Sequence, residues 1–171
     1  MAIIETSIEG YFLDPVTVFR TEPLKQMQAY WRRLKGDRFA PARSEFDPAA
    51  LRPWLPHILL FDVVDGGREF RVRLVGTHIT AAYGYDDTGK TLAQATDAIV
   101  AERGRLLLSQ CVDTRRPWRA FSDPVYGRHR EMVFAEGGAF PLSSDGRSVD
   151  IVLSGLVIEA RGRAFTSSQQ T

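Results

Sequence analysis

The sequence predicts an α+β domain in which an antiparallel sheet carries helices grouped on one side. Strand patterns joined by turn signals occur at 58–74 and again at 118–158, and helical patterns occupy the stretch between them. Hairpins at both ends with helices in the middle are typical of this class, because local hairpins make antiparallel pairs whereas parallel sheets need alternating strands and helices.

The first helix is predicted to begin near Thr21, which can act as its N-cap, with Pro23 in the first turn. Apolar residues then recur every three or four positions, which is the spacing of one helix face. They are Leu24, Met27, Trp31 and Leu34. Gly36 suits the end of the helix. Asp47-Pro48 is a second capping signal, and it predicts a short helix that ends before Pro53.

A hairpin follows. The apolar run Ile58-Leu-Leu-Phe-Asp-Val-Val64 predicts a strand, and Asp65-Gly66-Gly67 predicts a turn. The run Glu69-Phe-Arg-Val-Arg-Leu74 alternates strictly between polar and apolar residues. Strict alternation predicts a half-buried antiparallel strand.

The middle of the chain predicts helices. Residues 76–84 suggest short helical or turn structure, and residues near 97–113 predict the longest helix. Arg115-Arg116-Pro117 is expected to end that helix, because proline disfavours helical backbone in the residue before it.

Three more strands are predicted, at about 118–125, 129–140 and 148–158. Pro124 favours an edge position for the first of them, because proline cannot donate to a neighbouring strand. Gly137-Gly138 suggests a bulge or a bend in the second. Asp145-Gly146 predicts the turn that joins the last pair.

Composition excludes several classes of protein. A chain of 171 residues is sufficient for one domain with its own core. Its net charge of +1 does not provide the global basic field of a general nucleic-acid binder. One cysteine allows no internal disulfide, and three widely spaced histidines suggest no metal site. With no apolar run of about 20 residues and no signal peptide, we expect no membrane span and a cytoplasmic location.

Several short segments together resemble a known family. They are Tyr30-Trp31, Leu55-Pro56-His57, Ile58-Leu-Leu-Phe-Asp62, Phe70-Arg-Val-Arg-Leu-Val-Gly-Thr77, Tyr83-Gly84, Thr88-Gly89-Lys90 and Arg115-Arg116-Pro117. Across about residues 24–160 this pattern is similar to the bacterial PAS domains of the PAS_5 type, typified by short, stand-alone proteobacterial proteins.

The resemblance implies a PAS fold: a five-stranded antiparallel sheet of order 2-1-5-4-3 with helices on one face, here with an extra N-terminal helix. The implied organisation is an N-terminal segment at 1–20, a PAS-like domain at 21–160 that includes the flanking helix, and a flexible tail at 161–171. PAS domains sense small ligands or mediate signalling contacts, so a signalling protein partner and a small-molecule ligand are both expected, and a homodimer is possible in this family.

A phosphate-loop pattern also occurs, at Gly84-Tyr-Asp-Asp-Thr-Gly-Lys-Thr91. Such loops work between a buried strand and a helix, where backbone N–H groups cradle phosphates. The residues before Gly84 do not form a buried-strand pattern, and Asp86 and Asp87 would place negative charge beside the phosphates. We therefore interpret the match as coincidental.

The cofactor remains unknown, and the sequence supports neither haem nor flavin. The long helix at 97–113 contains no histidine that could be an axial haem ligand, and His78 precedes it. Cys111 does not lie in the Asn-Cys-Arg-Phe type of run that forms flavin adducts in light-sensing PAS domains. A small buried apolar role is expected for this cysteine.

Three groups of residues are candidates for binding. The ligand-pocket candidates are Tyr83, Cys111, Trp118 and Phe134. The apolar face of the first helix can either cover its own domain or pair with a partner helix, through Leu24, Met27 and Trp31. A basic edge, exposed to solvent or to an acidic partner, is expected from Arg115, Arg116, Arg119, Arg128 and Arg130.

We expect a stand-alone PAS-type sensory or adaptor domain without catalytic residues. No kinase, cyclase or DNA-binding segment is evident after residue 160, so any output is expected to pass through contact with another protein. The alternatives are a small enzyme that uses the same cavity and nucleotide or nucleic-acid binding through the arginine-rich edge. The first alternative needs a nucleophile–base or paired-carboxylate site, and the sequence offers none. Asp86 and Asp87 are adjacent, which usually points the two side chains apart.

Overall fold

A computed structural model of the chain describes residues 2–122, 125–126 and 132–161. The helices are α1 Glu22–Lys35, α2 Pro48–Leu51, α3 Thr77–Tyr83 and α4 Ala98–Thr114. The strands are β1 Ile4–Glu5, β2 Tyr11–Asp14, β3 Ile58–Val64, β4 Glu69–Val75, β5 Trp118–Ser122, β6 Val125–Tyr126, β7 Met132–Leu142 and β8 Ile151–Arg161. The turn predicted at 126–128 lies partly outside the described residues, as does the tail from residue 162 onward.

The strands form one antiparallel sheet with the order β1-β2-β5-β7-β8-β3-β4, and β6 pairs with β7. The five strands predicted from the sequence are β3, β4, β5, β7 and β8. Their order in the sheet is the predicted 2-1-5-4-3, so that prediction is confirmed. The longest pairing joins β7 to β8 in unbroken register from Met132 opposite Arg161 to Leu142 opposite Ile151.

The N-terminal strands β1 and β2 were not predicted. The four residues of β2 pair with β5, from Tyr11 opposite Ser122 to Asp14 opposite Arg119. Strand β5 is therefore interior, and the edge position expected from Pro124, itself outside the described residues, is wrong. A strand this short gives little pattern of its own, because its stability comes from pairing with a strand more than 100 residues away.

The helices begin and end close to the predicted residues. Helix α1 follows Thr21, has a proline in its first turn and ends at Gly36, whose φ is 53°. The Thr21 side chain makes no capping hydrogen bond, because its hydroxyl donates to Glu136 instead. Helix α2 is capped by the Asp47 carboxylate, which accepts a hydrogen bond from the Ala49 N–H. Helix α4 is capped by Asp97, whose carboxylate accepts from the N–H groups of Ile99 and Val100. These side chains satisfy N–H groups that a helix start leaves without partners.

The sheet separates two apolar cores, because its side chains alternate between two faces. Helix α1 covers one face, where Leu24, Met27 and Trp31 pack against residues such as Phe140 and Leu153. Helix α4 covers the other face, where Leu107 and Leu108 pack against residues such as Phe61, Val72 and Ala139. The extra N-terminal helix therefore lies across the sheet from the helices that enclose the pocket described below.

Gly137 and Gly138 do not form the expected bulge, since the register of β7 is continuous with both of its long neighbours. Gly138 instead permits close packing, because a Cβ there would lie 2.9 Å from the Phe19 ring. A Cβ on Gly137 would make only an ordinary contact, 3.7 Å from the Leu107 side chain. The irregularity in the sheet lies between β3 and β4, where Leu60 pairs with Leu74 and Phe61 with Val72, so that Arg73 of β4 is an extra residue.

Candidate functional site

A pocket of about 160 Å³ lies between the sheet and the helices α3 and α4. Its sheet wall includes Phe61, Val72 and Ala120, and its helical wall includes Ile79 and Leu107. A mainly apolar cavity with a few polar groups is the usual form of a small-molecule site.

Small residues create the space. Gly104 lies in the middle of α4 and lines the pocket, and a Cβ added to it would meet no atom within 4 Å. Ala120 and Gly137 place a methyl group and a bare backbone on the sheet wall. Glycine inside a helix costs about 1 kcal/mol relative to alanine. The fold therefore keeps this space open at a measurable cost in stability.

Three tyrosines and one arginine contribute polar groups to the wall. The Tyr11 hydroxyl donates a 3.0 Å hydrogen bond to the Arg103 carbonyl, and the Arg103 guanidinium lies 5.5 Å from the centroid of the Tyr11 ring. The rings of Tyr83 and Tyr85 stack at 5.7 Å between centroids. Burial raises the pKa of Tyr11 and of Tyr83, and it raises the pKa of Tyr85 to about 12. All three hydroxyls therefore keep their protons at neutral pH.

Arg103 differs from the arginines that form ion pairs. Its Nε atom is buried and has no hydrogen-bond partner among the described residues; Arg119 Nη2 also has none, but the Arg119 guanidinium is paired with Asp14 and Glu136. Within the described ranges, no carboxylate lies within the 4.0 Å ion-pair distance of its guanidinium. By contrast, Arg105 on the same helix lies 3.1 Å from Glu69 and 3.7 Å from Glu102.

Two carboxylates also line the pocket, and both are held by local hydrogen bonds. Asp87 accepts from Lys90 Nζ at 2.7 Å, from the Thr96 N–H at 2.9 Å and from Thr96 Oγ1 at 2.5 Å. Burial opposes its charge, but the hydrogen bonds from Lys90 and Thr96 outweigh burial and lower the pKa of Asp87. Asp97 is exposed, and it is the N-cap of α4.

The residues of the phosphate-loop pattern form hydrogen bonds within the loop that contains Asp87, and they do not have phosphate-binding geometry. The Gly89 N–H donates to the Val72 carbonyl at 2.8 Å, and Lys90 is bound to Asp87 and Thr96. Thr91 is followed by the short 3₁₀ turn Leu92–Gln94 and not by the long helix that such a motif requires.

The four predicted pocket residues lie in different places. Tyr83 is on the pocket wall. Cys111 and Trp118 are 0 % and 3 % exposed and belong to the core beside the pocket, outside its wall. Phe134 is half-buried and shares its strand face with Glu136, opposite to Ala135 and Gly137, which line the pocket. The alternation of β7 thus turns Phe134 away from the pocket.

Leu24, Met27 and Trp31 are at most 2 % exposed. They cover the protein's own sheet, and the Trp31 Nε1–H donates to the Pro141 carbonyl at 2.9 Å. The sequence allowed the apolar face of the first helix either to cover its own domain or to pair with a partner helix. In the structure, this face covers its own domain.

The basic edge is smaller than predicted. Arg115 and Arg116 are exposed, and the Arg115 guanidinium lies 4.0 Å from the centroid of the Phe39 ring. Arg119 is only 3 % exposed, because its side chain lies against Glu136 of β7 and Asp14 of β2, the strand that pairs with β5. Including Arg119 in an exposed edge was therefore wrong. Arg128 and Arg130 lie outside the described residues.

Arg119 belongs to a buried ionic junction that the sequence did not reveal. Its Nε donates to Glu136 at 2.6 Å, and its Nη1 lies 3.3 Å from Asp14. Glu136 is fully buried, and it also accepts from the Arg20 N–H, the Thr21 N–H and the Thr21 hydroxyl. The junction therefore joins β2, β5 and β7 to the start of α1.

Hydrogen bonds stabilise the charged form of the Glu136 carboxylate. Burial opposes it, but the hydrogen bonds from Thr21, Arg119 and the Arg20 N–H outweigh burial and lower the pKa of Glu136. The carboxylate also sits at the positive end of the α1 dipole. A glutamate in the middle of an otherwise apolar strand was the one sequence signal for this site, since buried charges are rare unless paired.

Two histidines that are distant in sequence are neighbours in space. The rings of His57 and His78 lie 4.5 Å apart, and they donate to the Leu156 and Ile158 carbonyls of β8. Burial and the neighbouring His78 lower the pKa of His57.

Over the described residues, no group of three or more potential metal ligands occurs. None of the helices in the same ranges has the length and hydropathy needed to cross a membrane.

Comparison with known proteins identifies one family. The model of the PAS_5 family, described as PAS domain, matches residues 19–119. No curated protein matches the sequence. Among solved structures, the PAS domain of BvgS from Bordetella pertussis is similar to 78% of this chain and 85% of its own, with 16% sequence identity and a TM-score of 0.46.

Proposed function

This chain belongs to the PAS domain family, whose members are sensory and signalling domains, and on that premise we propose that it senses a small organic molecule bound in the pocket beneath α3 and α4. The observation that carries the proposal is Gly104. A glycine in a helix interior, facing open space inside a pocket, lowers stability without improving packing. Room for a ligand explains why the space is kept.

The sheet offers a route from this pocket to the rest of the molecule. Ala120 and Gly137 line the pocket, and their strand neighbours Arg119 and Glu136 form the ionic junction on the opposite face. A ligand that shifts these two strands therefore acts on the groups that hold the start of α1. We propose that the bound and free states differ in this region and that a signalling partner distinguishes them.

The partner is a protein in this proposal, and the site is not catalytic. Cys111 is buried, and burial raises its thiol pKa, which disfavours the thiolate that a nucleophile requires. The burial of Arg119 weakens the case for nucleic acid at the basic edge. A homodimer stays a prediction, and its interface would have to use residues other than Leu24, Met27 and Trp31, which are buried within one chain.

Native mass spectrometry of the purified protein tests the proposal. Wild-type protein should retain a small molecule from the cell, or take one up from a cell extract. The variants Gly104→Leu and Gly104→Phe fill the pocket, so they should retain nothing while keeping a wild-type circular dichroism spectrum. Folded variants that carry the same small molecule as wild type, or a wild-type protein that never binds one, would contradict ligand sensing.

A further inference from the structure

We propose that the ligand is an organic acid with a single negative charge and an apolar body about the size of a benzene ring, bound through its carboxylate to Arg103. This inference rests on the proposed function, namely that the pocket binds a small molecule. It adds the chemical class of that molecule and the residue that selects it.

The first argument is the state of Arg103. A buried donor without a partner costs about 1–3 kcal/mol, and more when the group is charged. The Arg103 Nε is such a donor, and among the described residues no carboxylate pairs with its guanidinium. A ligand carboxylate would supply both the missing acceptor and the missing charge, because the guanidinium fork matches a carboxylate in shape.

The second argument is how the surroundings hold Arg103. The Tyr11 hydroxyl is bonded to the Arg103 backbone carbonyl, and the Tyr11 ring lies beside the guanidinium. Tyr83 and Tyr85 form the adjoining wall with stacked rings, and their raised pKa values keep the hydroxyls neutral. The arginine thus stands among uncharged aromatic groups, where an apolar body and an acid group can be bound side by side.

The third argument limits the ligand to one negative charge. Asp87 and Asp97 also line the pocket. Lys90 balances the charge of Asp87 at 2.7 Å, and the start of α4 stabilises Asp97. Neither carboxylate is therefore available to Arg103 as a partner. Arg103 is the one charged side chain of the wall that has no hydrogen-bond or ion-pair partner among the described residues, so the wall matches a ligand with one negative charge. Dicarboxylates and nucleotides fit this charge pattern less well than a monocarboxylate.

The volume of the pocket limits the size of the ligand's apolar part. This volume is about 160 Å³. A dry protein cavity of about 150 Å³ is known to hold benzene. Benzoate, phenylacetate and hexanoate are therefore suitable probes, and their primary amides are neutral analogues of nearly the same shape.

Isothermal titration calorimetry with these three acids and their amides tests the inference. Wild-type protein should bind at least one acid about tenfold or more tightly than its amide, since hydrogen bonds to charged groups exceed neutral ones by about this factor. The variants R103M and R103Q should lose that preference and bind the amide within about twofold of wild type. The control R116M removes an exposed arginine that lies just after the C-terminal end of α4 and outside the pocket wall, and it should behave as wild type.

Three results would overturn the inference: no acid binds, the amide binds as tightly as the acid, or folded R103M and R103Q keep the preference for the acid. The comparison of acid with amide in wild-type protein needs no variant, so it remains decisive if both variants unfold. Should the acids fail while native mass spectrometry finds another molecule in the pocket, the ligand class is wrong and ligand sensing stands.

Discussion

Gly104→Ala is expected to stabilise the protein, although it alters the wall of the candidate binding site. The residue lies in the seventeen-residue helix α4, and its backbone is in the ordinary helical range. An added Cβ would meet no atom within 4 Å, so it neither clashes with a neighbour nor gains a packing contact. The effect is therefore set by the backbone alone.

Helix propensity gives the magnitude. Glycine is about 0.8–1.0 kcal/mol less favourable than alanine inside a helix, because it loses more backbone freedom on folding. For a protein of 150–250 residues, a change of about 1 kcal/mol shifts the melting temperature by about 2–4 °C. Urea unfolding should show the same gain as a higher midpoint with an unchanged slope.

Gly155→Ala is the matched control for this measurement. An added Cβ there would lie 2.5 Å from a Leu24 methyl and 2.9 Å from the Met27 sulfur, so these two buried side chains of α1 would have to shift. This variant should lose stability by about 1–3 kcal/mol, the usual cost of overpacking a core. Equal or lower stability of Gly104→Ala than of wild type, measured without ligand, would refute the claim that the helix tolerates glycine only to leave space.

Three further outcomes are expected. Gly76→Ala should be the most harmful glycine variant in chemical denaturation, with a loss of about 3 kcal/mol or more, because its Cβ would lie 2.4 Å from the backbone oxygens of Leu55 and Pro56; a near-neutral effect would show that this turn can shift. Glu136→Gln should cost about 3 kcal/mol, as expected when one partner of a buried ion pair is removed. The pKa of Glu136 is lowered in the folded state, so its contribution to the free energy of unfolding is complete above the unfolded-state pKa of about 4.3 and is lost as pH falls through the lower folded-state pKa. Acid titrations followed by circular dichroism should therefore show a steeper loss of stability below about pH 4 in wild type than in E136Q. Parallel curves would count against the ionic junction. The Cys111 thiol should react with a chromogenic disulfide reagent only in denaturant, because it is fully buried and burial raises its pKa; rapid labelling of native protein would mean that the core opens locally.

Local signals predicted most of the fold. Thr21 and Asp47 each stand directly before a helix, and the alternation at 69–74 corresponds to a strand whose Phe70 and Val72 are buried. The sheet order came from the family resemblance, because no local pattern specifies which strands pair. Strand β2 went unpredicted since its partner β5 is more than 100 residues away.

The pocket was harder to predict than the fold. Trp118 and Phe134 were predicted to line the pocket because they are aromatic. The pocket wall instead depends on small residues such as Gly104 and on the face of β7 that holds Gly137. Arg103 gave no signal in the sequence, because one arginine on a helix is ordinary until its surroundings are known. Arg119 appeared solvated because its partners Asp14 and Glu136 come from other strands.

The short strand β2 has a practical consequence for anyone who transplants this domain into a chimaeric protein. The family match begins at residue 19, yet Tyr11 encloses the pocket and Asp14 contacts Arg119. A graft starting at Thr21 would leave the cavity breached, Arg119 short of one counter-ion and the side of β5 bare for unwanted pairing with other chains. The N-terminal segment that contains β2 therefore has to be included in the transplanted domain if its sensing properties are to be kept.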